Sequence, residues 1–359
     1  MTEPAPKNPK RRPRYRGTHP QQFGDKYKEH QPERYADDVA KVLASGKTPA
    51  GTHRPVMVRE ILEVLAPQPG ETAVDCTLGY GGHARELLAA VQPGGRLLGV
   101  DADPIELPKT EARLRVLGFA PEALIVRRMN YAGIAQLLAE LASSDTQLGE
   151  SSYGADVLLA DLGLSSMQID DPVRGFSFKF DGPLDMRMNP SRGLSATALL
   201  SKLDPAELAQ LLAENADEQR ASEMATAILR SHARRPLTTT RALADVVRST
   251  FAGTRHNYLE TDDDALRRVF QALRIAVNDE FGALDTFLRN LPSCLKPGGR
   301  VAILSFHSGE DRRVKLAFKQ GLRDDVYASI APEIIRPSAA EQRANPRSSP
   351  AKLRYAVRR

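Results

Sequence analysis

The sequence has no tryptophan, only two cysteines and no long apolar run. The cysteines, Cys76 and Cys294, are far apart and form no CxxC pair, so neither a disulfide framework nor a zinc site is indicated. No stretch approaches the roughly 18 apolar residues of a membrane helix, and the first residues lack the apolar segment of a signal peptide. We therefore expect a cytoplasmic protein with no membrane partner and no bound metal.

Charge is unevenly distributed along a chain of otherwise ordinary globular composition. Its 359 residues are 41% hydrophobic and 26% charged, which supplies enough apolar material for a large core. The net charge is +5, yet residues 1–30 hold eight Lys/Arg against three Asp/Glu, and residues 336–359 hold seven against one. Basic ends suit a polyanion such as RNA, and they equally well serve solubility alone.

Alternating strand and helix patterns predict a parallel α/β sheet that a helical segment interrupts. Only helical periods occur from about residue 194 to 252, and a long helix is expected at about 264–291. Strands are predicted at 72–76, 96–100, 124–128, 155–160, 300–306 and 352–357. We predict three parts: a basic, mostly disordered arm (1–50), a sheet domain (51–190 and 263–359) and a helical substrate-recognition insert (191–262).

A glycine-rich turn after the first strand indicates a cofactor site. The segment runs from Asp75 through Gly81 and Gly82 to His83, and Asp101 ends the second strand. Glycines let a ligand approach the backbone, and the next helix offers free N–H groups. The pattern also fits a dinucleotide fingerprint, with Asp101 on the ribose. Asp75 favours S-adenosylmethionine, because a carboxylate there can hold the methionine ammonium but would repel a pyrophosphate. This is the layout of class I methyltransferases.

A long polar run, residues 161–188, directly follows the buried strand predicted at 155–160. In open α/β sheets the ligand crevice lies beyond the carboxyl ends of the strands. A solvated surface loop is the alternative, but the run also carries Phe176, Phe178, Phe180, Met186 and Met188, which need burial. We therefore expect this run to form part of a ligand site.

The motifs in these segments resemble those of one enzyme family. They are Gly79-x-Gly-Gly-His83, Asp101-x-Asp-Pro104, Asp161-Leu-Gly-x-Ser-Ser166, Arg174-Gly-Phe-Ser-Phe178, Asp181-Gly-Pro-Leu-Asp-Met-Arg-Met188, Arg274-Ile-x-Val-Asn278 and Ser305-Phe-His-Ser308. Over residues 50–358 the chain resembles the ribosomal RNA small subunit methyltransferase H family, the MraW-type enzymes. Two positions depart from the family pattern: Tyr131 stands where Phe is frequent, and Gly309 stands where leucine is usual.

The resemblance implies both a fold and an activity. The fold would be a class I, Rossmann-like S-adenosylmethionine-dependent methyltransferase domain with an inserted all-helical domain. The activity would be methyl transfer to the N4 amine of a decoding-centre cytidine in 16S rRNA of the 30S subunit. The family also implies that S-adenosylmethionine is lined by Gly81, Gly82, His83, Asp101, Tyr131, Asp161 and Gln168.

The chemistry of an exocyclic amine narrows the catalytic candidates. Its lone pair is delocalised into the ring, so the enzyme must orient the amine and accept its proton. The Asp-Pro-Pro-aromatic motif common in DNA amino-methyltransferases is absent, and Asp161-Leu-Gly-Leu takes its place. Asp161, Asp185 and His307 are therefore the candidates. His307 is equally well explained as a hydrogen-bonded residue at a strand end, and Asp185 as a salt-bridge partner of Arg187.

Several cations lie near the loops expected to face the substrate, where they would bind RNA phosphates or simply form surface charge. They are Lys179, Arg187, Arg192, Arg274, Arg312, Arg313 and Lys315, together with the C-terminal run from Arg343 to Arg354. Two rival functions stay open at this point: an RNA-binding ribosome-assembly factor that keeps the cofactor pocket, and an NAD-dependent oxidoreductase. The sequence also leaves homodimer formation open.

Overall fold

One seven-stranded sheet organises the described residues. This computed structural model describes residues 55–144, 154–251 and 262–359, so the predicted arm of residues 1–50 lies outside them. The strands are β1 (Thr72–Asp75), β2 (Arg96–Asp101), β3 (Leu124–Arg128), β4 (Ala155–Asp161), β5 (Leu295–Ser305), β6 (Tyr327–Ile330) and β7 (Lys352–Arg358). Their order is β3-β2-β1-β4-β5-β7-β6, with β1 to β5 parallel and β7 antiparallel to both of its neighbours.

The described residues form α-helices, some of which cover both faces of this sheet while others pack in a separate core. They are α1 (Val58–Leu65), α2 (Gly82–Ala90), α3 (Leu107–Arg115), α4 (Ile134–Ser144), α5 (Ser166–Asp170), α6 (Ala196–Leu200), α7 (Pro205–Ala216), α8 (Ala221–Arg234), α9 (Thr240–Ser249), α10 (Asp262–Asn278), α11 (Glu280–Cys294), α12 (Ser308–Arg323) and α13 (Ala339–Ala344). Strand residues alternate between two cores, because successive side chains of a strand point to opposite faces. One core packs against α1, α2 and α3, and the other against α4, α11 and α12.

The segment between β4 and α10 is helical, as its sequence periods predict. Helices α6 to α9 share a core with α10 and with apolar residues of the 161–188 loop, including Phe176, Leu184 and Met186. Asp204 starts α7 with a capping box, accepting from the Glu207 N–H at 2.8 Å while the Glu207 carboxylate accepts from the Asp204 N–H. Sheet and insert together confirm the predicted class I methyltransferase fold. No described helix is long and apolar enough to span a membrane.

The prediction of one long helix over 264–291 is wrong. The structure has two helices, α10 and α11, and Asp279 between them takes a left-handed conformation with φ of 48°. Asn278 ends α10 with its side chain turned to the loop, where Nδ2 donates to the Met186 carbonyl at 2.8 Å and Oδ1 accepts from the Met188 N–H at 2.7 Å. These tertiary hydrogen bonds oppose the continuous helix that local periodicity favours.

Candidate active site

Three acids end three neighbouring strands at one edge of the sheet. Asp75 ends β1, Asp101 ends β2 and Asp161 ends β4. The connections from β1 lead to β2 on one side and β4 lies on the other, so the strand order reverses between β1 and β4. Ligands of open α/β sheets bind at such a switch point, beyond the carboxyl ends of the strands. The three predicted acids therefore border one crevice.

The glycine-rich turn is bent by left-handed residues and held by Asp101. Gly79 and Gly81 have φ values of 48° and 79°, and Gly81 is the N-cap of α2. Asp101 Oδ2 accepts from the Gly79 N–H at 2.8 Å, and Oδ1 accepts from the Asp103 N–H at 2.8 Å. A Cβ at Gly82 would lie 2.5 Å from Pro55 Cγ, so this glycine is required by close packing.

Asp75 is a buried carboxylate with little compensation. Its Oδ1 accepts from the Thr77 N–H at 3.0 Å, and burial raises the pKa of Asp75 to about 6. Thr77 also links the two strand ends, since its Oγ1 accepts from the Asp161 N–H at 2.7 Å. Sequence reasoning missed Thr77, which directly follows Asp75-Cys76 and carried no charge to draw attention.

The Asp161 carboxylate has even less hydrogen bonding than that of Asp75 to offset its burial. Its Oδ1 is buried and has no hydrogen-bond partner within the described ranges, although the side chain as a whole is 28% exposed. Burial, with a smaller contribution from the Glu310 carboxylate, raises the pKa of Asp161 to about 7. The His83 ring lies beside it, with Nδ1 3.6 Å from Asp161 Oδ2. Asp161 thus offers an unused acceptor at the crevice.

The Gln168 side chain is engaged at both ends by hydrogen bonds that hold the turn after Asp101. Its Nε2 donates to Asp103 Oδ2 at 2.8 Å, and its Oε1 accepts from the Ser165 N–H in the capping box that begins α5. Asp103 also accepts from buried Arg174 at 3.0 Å and from the Ile105 N–H at 2.8 Å. Burial alone would raise the pKa of Asp103, but Arg174 and Gln168 hold it below its ordinary value. The motif Arg174-Gly-Phe-Ser-Phe178 is evident from the sequence, but this role of Arg174 is not.

Tyr131 and His307 belong to a buried cluster of charged groups. The Tyr131 ring packs edge-on against Phe287, with centroids 5.4 Å apart. Burial, with the nearby Glu280 and Glu310 carboxylates, raises the pKa of Tyr131. His307 caps α12, and its Nε2 lies 3.2 Å from Glu310 Oε1. The Glu310 carboxylate also accepts from the Phe306 N–H at 2.9 Å.

This cluster is better described as an ion-pair network than as a metal centre. Ligand-type atoms of Glu280, His307 and Glu310 lie within 4.8 Å of one another. However, Arg274 donates Nε and Nη2 to the two Glu280 oxygens, each at 2.8 Å. A divalent cation would have to displace that guanidinium. The predicted phosphate-binding role of Arg274 is wrong for the same reason, because its donors face Glu280 in the interior.

Asp185 and most of the predicted phosphate-binding cations have ion-pair partners. Asp185 accepts from Arg187 Nε and Nη2, both at 2.7 Å, and these hydrogen bonds lower the pKa of Asp185. The sequence left two roles open for Asp185, catalysis and a salt bridge to Arg187, and the structure contains the salt bridge. The remaining pairs join Arg312 to Asp217, Arg313 to Asp285, Arg347 to Asp170 and Arg354 to Asp311. The C-terminal basic run from Arg343 to Arg354 is therefore largely engaged in ion pairs within the fold.

The crevice residues fit S-adenosylmethionine on two grounds. Asp75 and Asp161 are buried carboxylates with raised pKa values, and the ligand carries an ammonium and a sulfonium that would neutralise them. Gly79 and Gly163 border open space, since a Cβ at Gly163 would have no neighbour within 4 Å and at Gly79 only the Thr77 carbonyl oxygen at 3.7 Å. Backbone close to a ligand needs that space.

Comparison with known proteins gives one consistent family. The model of the MraW methylase family matches residues 50–359. Ribosomal RNA small subunit methyltransferase H 1 of Lachnoclostridium phytofermentans is 47% identical over 97% of this chain and 93% of its own length. Ribosomal RNA small subunit methyltransferase H 2 of Alkaliphilus metalliredigens is 48% identical over 97% of both chains. A solved SAM-dependent methyltransferase from Aquifex aeolicus is much less similar, at 8% identity and a TM-score of 0.36 over 89% of this chain and 96% of its own.

Proposed function

Because the chain belongs to the MraW methylase family, we propose that it transfers a methyl group from S-adenosylmethionine to the N4 amine of a decoding-centre cytidine in 16S rRNA of the 30S subunit. The coarser activity, S-adenosylmethionine-dependent methylation of small-subunit rRNA, follows from the family itself. The observation that carries the finer proposal is Asp161, whose side chain is 28% exposed at the ligand edge of the sheet and has a carboxylate oxygen without a hydrogen-bond donor. A cytidine amine supplies such a donor.

The cofactor roles follow from the positions of the predicted residues. Asp75 would hold the ammonium, Gly81, Gly82 and the His83 backbone would face the ligand at the α2 N-terminus, and Asp101 would accept from the ribose diol. The half-buried Tyr131 ring would offer its face to adenine. Gln168 would act through Asp103, keeping the turn after Asp101 in place. The ligand supplies an electrophilic methyl group on its sulfonium.

Asp161 is the strongest of the three catalytic candidates. Both Asp185 oxygens are occupied by Arg187, and His307 caps α12 beside Glu310, so each already has a structural task. Asp161 can instead accept an N4–H hydrogen bond, which orients the amine, because its side chain is partly exposed and its carboxylate is not fully paired. The same contact disfavours the oxidoreductase alternative, since hydride transfer gives this carboxylate no task.

Three exposed cations are proposed to contact rRNA phosphates. Lys179, Arg192 and Lys315 are exposed and have no ion-pair partner in the part of the chain that the structure describes. Unlike the paired arginines, they can exchange counterions for phosphates without breaking an internal contact. They extend the basic character of the site from the 161–188 loop to α12.

One assay tests both transfer and the phosphate surface. Labelled S-adenosylmethionine is incubated with 30S subunits from cells that lack the enzyme, at rising salt concentration. We expect label in 16S rRNA, and a rate at limiting subunit concentration that falls at least about tenfold between 50 and 200 mM salt. Binding of subunits without label in rRNA would support an assembly factor instead. A rate independent of salt would contradict the phosphate contacts.

A further inference from the structure

The His83 ring is fixed by a contact that determines where its proton sits. Nε2 lies 2.9 Å from the Val56 carbonyl oxygen, which can only accept a hydrogen bond. Nε2 therefore carries hydrogen, and in the neutral ring Nδ1 is the basic atom. That atom lies 3.6 Å from Asp161 Oδ2, and the ring is only 8% exposed.

This arrangement is unfavourable unless a proton lies between the two residues. A neutral ring beside an ionised carboxylate would bring two acceptors face to face in a buried place. The other titratable groups recorded around the pair in the described segments are acids: Asp75 and Glu310 around Asp161, and Asp75, Glu86 and Glu341 around His83. None of these protein groups supplies a cation, so before the ligand's sulfonium is bound a proton on the pair is the available compensation.

We propose that His83 and Asp161 share one proton, and that this pair is the acceptor for the proton of the methylated amine. The inference rests on the proposed function and goes beyond it, because it gives the His83 side chain a task. His83 is a positioning residue that acts through Asp161. Asp161, whose side chain is 28% exposed, is the residue that accepts from the amine, and its Oδ2 lies 3.6 Å from His83 Nδ1.

The step balances in atoms and charge. The N4 lone pair forms the bond to the methyl carbon, and the carbon–sulfur bond breaks with its electron pair going to sulfur. The N4 proton passes to the Asp161 carboxylate, and the proton that Asp161 shares with His83 passes to His83 Nδ1. The positive charge lost by the sulfonium is thus retained on the imidazolium, which still donates from Nε2 to Val56.

His83 could also be explained as a structural anchor that ties the Val56 segment to α2. The two explanations differ in the pH dependence of the reaction. The pKa for adding a second proton to the pair is lower than the pKa of a lone, buried Asp161, because the first proton already neutralises the carboxylate charge. The pair therefore stays able to accept the amine proton at lower pH. Without His83 the only acceptor is the Asp161 carboxylate, whose pKa burial raises. The anchor explanation predicts no change in the acid limb.

The experiment measures single-turnover methylation of 30S subunits at saturating S-adenosylmethionine, from about pH 5.5 to 8.5. The variant His83→Gln keeps an amide donor for the Val56 carbonyl but has no basic atom. We expect its acid limb to lie about one pH unit or more above that of the wild type, with a plateau lowered at least about tenfold. His83→Asn, which loses the anchor instead, should show the same displaced limb and serves if His83→Gln does not fold.

His232→Gln is the matched control. His232 is also buried and uses both ring nitrogens, with Ser201 Oγ 2.9 Å from Nε2 and the Leu237 N–H donating to Nδ1 at 3.1 Å, but it lies in the insert. Its acid limb should coincide with that of the wild type. Superimposable limbs for wild type and both His83 variants would overturn the shared proton. Absence of methylation by the wild type at every pH would instead contradict the proposed function.

Discussion

At the scale of single residues, the ionised Asp161 carboxylate destabilises the folded protein. Its pKa of about 7 lies above the ordinary value of 3.8 because the carboxylate is desolvated and Oδ1 is unpaired. The folded state therefore binds this proton more tightly than the unfolded state does. The free energy of unfolding falls as pH rises from about 4 to 7, and the full cost is present above pH 7.

Asp161→Asn should consequently make the protein more stable while removing the acceptor. We expect a melting temperature at pH 8 that is about 2 °C or more above the wild type, and a difference that shrinks toward pH 4. Calorimetry at both pH values measures it. Asp156→Asn on the same strand is the opposite case, because Asp156 accepts from Lys296 at 2.7 Å and from the Thr72 N–H at 2.8 Å, and its loss should destabilise. A less stable Asp161→Asn at pH 8 would refute the assigned desolvation.

The site acids could be predicted from sequence, whereas their partners could not. Asp75, Asp101 and Asp161 each follow an apolar strand, and parallel strands bring their carboxyl ends together. Arg274 is predicted as a phosphate contact because it lies near the loops expected to face the substrate. The break at Asp279 turns α11 so that Glu280 meets Arg274. That left-handed residue depends on tertiary hydrogen bonds that local periodicity does not contain.

At the scale of elements, the 161–188 loop joins the cofactor turn to the helical insert. Arg174 Nη2 donates both to Asp103 Oδ2 at 3.0 Å and to the Met188 carbonyl at 2.9 Å. Further along, the Gly182 N–H donates to Thr240 Oγ1 at 3.1 Å, and the Thr240 N–H donates to the Gly182 carbonyl at 2.9 Å. The sequence indicated a ligand loop here but could not show that it also braces the insert.

Gly175→Ala should disrupt this loop severely. Gly175 has a φ of 71°, and a Cβ there would overlap the Pro183 carbonyl oxygen and lie 3.0 Å from the Asp185 nitrogen. We expect the free energy of unfolding in urea to fall by at least about 2 kcal/mol. Gly193→Ala is the matched control, since Gly193 has a φ of 78° but no atom within 4 Å of its added Cβ. It should cost only about 1 kcal/mol, and equal losses in the two variants would contradict the close packing.

At the scale of the whole molecule, the described residues connect the ligand edge of the sheet to a helical insert. Besides the loop, α12 reaches the insert through Ser308 Oγ, which lies 2.9 Å from Asp217 Oδ2. The fold class and the insert could be predicted because strand and helix periods are local properties. Strand β6 could not be predicted, since it has four residues and depends on pairing with β7.

The most direct test of the account identifies the methylated atom. The protein is incubated with trideuteromethyl S-adenosylmethionine and 30S subunits from cells lacking the enzyme, and the 16S rRNA is digested for mass spectrometry of its nucleosides. We predict trideuterated N4-methylcytidine with the wild type and its loss with Asp161→Ala. Label on carbon 5 or on the ribose oxygen, or unchanged N4-methylcytidine with Asp161→Ala, would contradict the central claim.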